Sequence, residues 1–139
     1  MAIISGVSVA AKEAFLKGEF QPTDVYKIAL FDATAKLSPM SDVYTTTGEV
    51  VGQNYIKGGL VLEGYQCGVD GVTACITWAK SPVWRNATIN ARGAMIYNAS
   101  KKNKTVLVLD FGQDVISTNG NWTFPMPPLT ATTGLIRFS

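Results

Sequence analysis

From residue 25 onward the apolar residues come in short runs, and within several of those runs they alternate with polar ones at a period of two. Glycine, proline and asparagine separate the runs. A chain patterned this way cannot lay one continuous apolar stripe along helices, whereas it can cover the faces of pleated sheets. The run VYKIALF, residues 25–31, lies between Pro22 and Asp32, and its β-branched and aromatic content suits a strand. In VTACITW, residues 72–78, Val72, Ala74, Ile76 and Trp78 share one face and Thr73, Cys75 and Thr77 the other, as in a half-buried strand. Residues 87–98 place Ile89, Ala91, Gly93, Met95 and Tyr97 on one face; the opposite face starts polar and turns apolar at Ala94 and Ile96. That reads as a strand entering from an edge and ending buried on both sides. TVLVLDF, residues 105–111, is apolar enough for a central strand. Asn119-Gly120 predicts a hairpin turn before the alternating NWTF, and residues 135–138 supply a last short strand.

One segment has a different period. Residues 8–18 hold Ala11, Ala14, Phe15 and Leu16 among Lys12, Glu13 and Lys17, a spacing that predicts a short amphipathic helix stopped by Gly18. About seven or eight short antiparallel strands with one N-terminal helix predict an all-β fold, a β-sandwich or jelly roll. A length of 139 residues with 47% hydrophobic content allows one core, so a single domain spanning 1–139 is expected.

The chain contains no histidine, which removes the commonest general base and the usual metal ligand together. The carboxylates Glu13, Asp24, Asp32, Glu49, Glu63, Asp70, Asp110 and Asp114 form no adjacent cluster suited to a calcium loop or a glycosidase pair. Asp110 and Asp114 flank FGQ, where the expected role is a strand-end carboxylate capping the turn at Gly112. No glycine-rich stretch ends in the Gly-Lys-Ser/Thr of a phosphate loop. The expectation is a protein that is not an enzyme, with no catalytic residues, cofactor or metal.

Charge and cysteine usage narrow the partners. The formal charge is +2, and Lys101, Lys102 and Lys104 form the one local basic cluster, placed where a polar turn is expected. Nucleic acid is therefore disfavoured as a partner. The N-terminal ten residues lack both a charged opening and a sustained apolar stretch, and no window approaches a membrane span, so a soluble, intracellularly made chain is expected. The sequons at Asn86, Asn98, Asn103 and Asn121 receive no role. Cys67 and Cys75 flank a glycine-containing segment that would let two strands run side by side. A disulfide is geometrically possible there, while two free, buried thiols are the expectation without a secretory signal.

Trp78, Trp84 and Trp122, with Tyr44, Tyr55 and Tyr65, raise the alternative of a sugar-binding platform. Trp78 and Trp122 lie on apolar strand faces and are expected in the core. Trp84, between Pro82 and Arg85, is the one expected at a surface.

LKGEF and TDVYKIALFD, then GEVVGQNYIKGGLVL, TWAKSPVWRNATINARGAMIY and VLDFGQDVISTNGNWTFPMP resemble, in that order, a family of small virion structural proteins of tailed phages. The resemblance runs from about Phe15 to the C-terminus. It implies a capsid cement or decoration protein of jelly-roll type, located in the virion on the capsid surface after synthesis in the host cytoplasm. Its implied partners are the major capsid protein and further copies of itself, as a dimer or trimer. The residues carried over are fold-defining: Gly52, Tyr55, Gly58 and Gly59, then Ala91, Arg92, Gly93 and Tyr97, then the Asp110-Phe111-Gly112 corner, with Asn119 and Gly120 as a further turn. The chain departs from the family at KKNK, which is short, and at PMPP, and these departures leave the oligomeric interface open.

Cementing needs no catalytic group. It needs a rigid body and extended segments that bind assembled subunits better than free ones. The N-terminal ten residues, residues 36–47 with Ser38 and Pro39, Trp84, and residues 125–133 with Pro125, Pro127 and Pro128 are the expected interaction segments, each equally able to be an ordinary connection. A tail or neck component of the virion, and a carbohydrate-binding module for host attachment, stand as alternatives.

Overall fold

The computed structural model describes residues 3–138. Its elements run β1 (Gly6–Val7), α1 (Val9–Leu16), β2 (Tyr26–Phe31), β3 (Leu60–Val61), β4 (Tyr65–Asp70), β5 (Thr73–Trp78), β6 (Val83–Asn98), β7 (Lys104–Thr123) and β8 (Ile136–Phe138). They form two antiparallel sheets, one ordered β1-β7-β6-β2-β3 and the other β4-β5-β8. The chain is thus an all-β protein with one short helix, consistent with a β-sandwich.

The helix begins where its cap dictates. Ser8 is extended, at φ −68° and ψ 153°, and its hydroxyl accepts from the Ala11 amide at 2.9 Å. At the other end Gly18 takes φ +71° and terminates the helix as its position predicts. Ala11 and Ala14 are fully buried, so the helix approaches β7 closely through small side chains.

Nearly continuous apolar strands imply cover on both faces, and the five-stranded sheet has it. On one side Tyr26, Ile28 and Leu30 of β2 join Ala94 and Ile96 of β6, the helix alanines and the inner face of the small sheet in the main core. On the other side Ala29 and Phe31 join Met95, Tyr97 and Val108 under Ile3, Ala35 and Leu37. Residues 32–48, which contain no helix or strand element, provide the second lid. They are tied down by the bonds Ile4 N to Leu37 O at 2.8 Å, Val9 N to Pro39 O at 2.9 Å and Thr105 N to Asp42 O at 2.9 Å. Burying a side chain such as Phe31 is worth about 2–3 kcal/mol, so this lid is an integral layer of the fold.

The long hairpin β6–β7 corrects two expectations. Sequence alternation predicts that residues 89–97 keep one face throughout, but the register shifts between Ala91 and Gly93. Ala87, Ile89 and Ala91 face the main core, and beyond the bulge Ala94 and Ile96 do, while Met95 and Tyr97 face the second. Asn119-Gly120 is no hairpin turn either. It lies inside β7, with Asn119 at φ +49° and Ala87 paired to Gly120, so the left-handed residue is used in a bulge. The turn joining β6 to β7 is formed instead at Lys102 and Asn103, both at φ +57°, as the KKNK segment predicts.

The small sheet covers the core with Tyr65, Ile76, Trp78 and Ile136. Cys75 is buried as expected, and Thr73 and Thr77, the polar residues of its face of β5, are buried with it, whereas Ala74 on the face read as apolar is exposed and Val72 sits at the tip of the hairpin. Residues 125–134 account for this by crossing the outer face of β5. Thr77 Oγ1 donates to Pro127 O at 2.8 Å, and the Cys75 thiol lies 3.3 Å from Thr130 O.

Candidate functional site

The residues GEVVGQNYIKGG converge on one carboxylate. Glu49 is 2% exposed and is the only charged side chain buried to that degree among the described residues. It accepts from the Tyr44 hydroxyl, from the Tyr55 hydroxyl at 2.5 Å and from the Gly58 amide at 2.8 Å. Tyr55 also accepts from the Leu30 amide of β2 at 2.9 Å, and Tyr97 of β6 donates to Gly58 O at 2.7 Å. Tyr44 stacks on Tyr97 with ring centroids 4.5 Å apart. A buried charge tolerates burial only when such donors replace water. The network holds residues 44–59 against β2 and β6.

Of the glycines named from sequence, Gly52, Gly58 and Gly59 border this network, and Gly52 and Gly59 are required there by close approaches. A Cβ on Gly59, at φ +79°, would lie 1.8 Å from Ile28 O, and one on Gly52 would lie 2.0 Å from Thr88 O. Gly58, at φ +100°, presents both its amide and its carbonyl to the cluster. Gly93 is needed for packing: its added Cβ would fall 2.4 Å from Leu109 O and 2.6 Å from Ile3 Cδ1.

Burial, then the hydrogen bond to Glu49, pushes both Tyr44 and Tyr55 above the ordinary phenol range. Burial, then the Glu49 charge, pushes Tyr97 up to about 12. These phenols stay protonated and act as donors. Glu49 is a clamp for a loop, both of its carboxylate oxygens being held by hydroxyl and amide donors.

Asp110 behaves as its position at the corner predicts. Its Oδ1 accepts from the Gly112 amide at 2.9 Å, with Gly112 at φ +80°, and from Arg92 Nε at 2.8 Å. The Arg92 hydrogen bond, then that of Gly112, holds its carboxyl below the ordinary range. Three residues more on β7 than on β6 lie between the pairs Ala91 to Val115 and Gly93 to Asp110 (five steps against two), so the corner is a wide bulge.

The basic turn carries its own counter-charges. Lys101 Nζ lies 2.8 Å from Asp24 Oδ1, and Lys104 Nζ 3.2 Å from Glu19 Oε1. Burial pushes Asp24 up, but bonds from Lys101, Asn98 and the Gln21 amide outweigh it and hold the carboxyl below its ordinary value. A cleft of about 500 Å³ opens beside Gly18, Gln21 and Lys102. Its lysine ammonium groups at 101 and 104 are already paired, so the local field is that of ion pairs rather than of a free basic patch.

The expected interaction segments are mostly built into the body. Ser38 and Pro39 are half-buried within the second lid, and a Cβ on Gly6 would meet Pro39 Cγ at 2.7 Å. Pro127 is half-buried in the strap over β5, while Pro125 and Pro128 are exposed on it. Met1 and Ala2 of the N-terminal segment lie outside the described residues. Trp84 is 3% exposed, correcting the expectation of a surface ring. β6 starts at Val83, earlier than the alternation indicates, so Trp84 faces inward opposite Trp122, with ring centroids 5.5 Å apart. All three tryptophans are therefore core, and the exposed ring on which a sugar platform depended is not at Trp84.

Cys67 and Cys75 are both free, but Cys67 is exposed, against the expectation of two buried thiols. Cys67 pairs with Ile76 and Cys75 with Gly68, and adjacent registers point to opposite faces. Among the described residues, no three acidic, histidine or cysteine side chains gather as a metal site, and no helix is long and apolar enough to cross a membrane.

Two antiparallel sheets, a loop lid and one short helix define an all-β protein of β-sandwich character at the level of class. No protein-family model, curated protein or solved structure matches the chain.

Proposed function

We propose that the chain is a structural virion protein of a tailed phage that cements or decorates the outer capsid surface by binding the assembled major capsid protein. The observation that carries this reading is the ordered series of sequence blocks from about Phe15 to the C-terminus that resemble small phage virion proteins. The rigidity of the body supports this reading. A body clamped by the Glu49 network and two covering segments loses little conformational freedom on docking, so weak contacts repeated over a symmetric shell add effectively. Binding that favours assembled subunits then raises shell stability by mass action.

Shells prepared without this chain should bind purified protein at saturable, symmetry-related sites and become more resistant to heat. Equal heat stability with and without it, or no binding to such shells, overturns the reading. Labelled particles viewed by electron microscopy should carry the label on the head; label on the tail or neck overturns the capsid assignment.

A further inference from the structure

Asn119-Gly120 is the only Asn-Gly pair in the chain, and the fold sets it in an irregular stretch of β7. Three steps on β7 against two on β6 separate the pairs Ala87 to Gly120 and Ile89 to Ser117, so β7 carries one extra residue there. A second register shift lies between Trp84 and Ala87, which leaves Ala87–Gly120 as a single pair between two irregularities. Asn119, at φ +49°, is exposed. Its main-chain amide donates to Thr88 Oγ1 at 3.1 Å, whereas its side-chain amide has no hydrogen-bond partner among the described residues. Gly120 lies outside the left-handed region, and a Cβ built on it would meet only Thr118 O, at 3.7 Å. Other asparagines are tied down: Asn98 Nδ2 donates to Asp24 Oδ2 at 2.8 Å, Asn54 Nδ2 to Asn86 O at 2.8 Å, and Asn121 Oδ1 accepts from the Asn86 amide at 3.3 Å.

We propose that Asn119 is a site of spontaneous covalent modification, in which Gly120 N attacks Asn119 Cγ to close a cyclic imide that water opens to aspartate or isoaspartate. In the first step the bond from Gly120 N to Asn119 Cγ forms and the bond from Cγ to the amide nitrogen breaks. The proton lost from Gly120 N leaves with that nitrogen as ammonia. In the second step water adds to either ring carbonyl, whose bond to Gly120 N breaks while a proton returns to the nitrogen. Opening at Cγ gives aspartate; opening at the main-chain carbonyl of residue 119 gives isoaspartate. Water is the sole co-reactant, and the exposure of Asn119 admits it. Because both reacting atoms belong to one stretch of chain, the rate depends on how freely the backbone brings them together. A following residue with a β-carbon crowds that approach, and glycine does not. The bulge also accommodates the product, since isoaspartate adds a main-chain carbon where β7 already carries an extra residue. Asp70-Gly71 offers the same ring closure, but Asp70 Oδ2 is held by the Ala131 amide at 2.7 Å. Each conversion at Asn119 replaces a neutral amide by a carboxylate and so lowers the formal charge of +2 by one. The inference concerns purified protein and does not depend on the capsid reading.

The full chain, held folded for days at mildly alkaline pH and physiological temperature, should accumulate a more acidic species on ion exchange. Peptide mapping by mass spectrometry should place the amide-to-acid mass gain at residue 119, with both aspartate and isoaspartate present, and should find Asn54, Asn98 and Asn121 still as amides. Gly120→Ala, for which the backbone and the space around Gly120 leave room, should keep the β-rich circular dichroism and slow the conversion several-fold. Asn119→Gln, a change at an exposed position, should remove the acidic species, because the longer side chain closes its ring far more slowly. An Asn119 that stays an amide in the folded chain overturns the inference, whether or not the urea-unfolded chain converts. Conversion spread evenly over the asparagines, or a rate unchanged by Gly120→Ala, overturns it as well.

Discussion

Glycines in this chain do different work at different positions, and their neighbours tell which. Gly59 and Gly71 are both left-handed, at φ +79° and +64°, but an added Cβ meets Ile28 O at 1.8 Å in the first case and nothing within 4 Å in the second. Gly71→Ala should therefore cost about 1–2 kcal/mol, the left-handed penalty alone. Gly59→Ala adds a backbone clash and should cost about 3 kcal/mol or more. Urea unfolding of the two variants measures the difference, and equal losses would mean that β2 yields to the intruding methyl. The sequence marks both glycines as turn formers; only the Ile28 carbonyl beside Gly59 separates them.

At the scale of elements, the strap of residues 125–134 changes what β5 is. Alternation alone gives β5 one wet face, but Pro127 and Thr130 carbonyls receive Thr77 and Cys75 there. Cys67, on the neighbouring strand and opposite face, stays exposed. A thiol reagent should consequently titrate one cysteine quickly in the native protein and a second only on unfolding, and Cys67→Ser should abolish the fast phase. Two fast thiols would show that the strap lifts readily from the sheet. The strap was legible as a proline-rich break, yet nothing local in PMPP reveals which strand it crosses.

Taken as a whole molecule, the chain commits each of its five tyrosines to its interior layers. Burial is the first cause in each case, and it pushes Tyr65 and Tyr97 up to about 12 and Tyr26, Tyr44 and Tyr55 higher still. A phenol whose folded value is raised contributes stability that is complete below its unfolded value and is lost as pH climbs toward the folded one. Stability should thus fall above about pH 10. Ultraviolet titration should show no phenolate below about that pH, and ionisation should coincide with loss of the β circular dichroism. A tyrosine that titrates near pH 10 in a still-folded chain would contradict the burial described.

Period and punctuation determined the all-β class, the helix at Val9–Leu16, strand β2 and the turn at Lys102 and Asn103, because these depend on spacing and on backbone preferences that reside in a few adjacent residues. Tertiary structure decided the facing of β6 after Arg92, the bulge at Asn119, the burial of Trp84 and the gathering of Tyr44, Tyr55 and Gly58 around Glu49. A bulge shifts the phase of every later side chain, and a buried carboxylate is chosen by donors brought from distant positions. Neither leaves a periodic trace in the sequence.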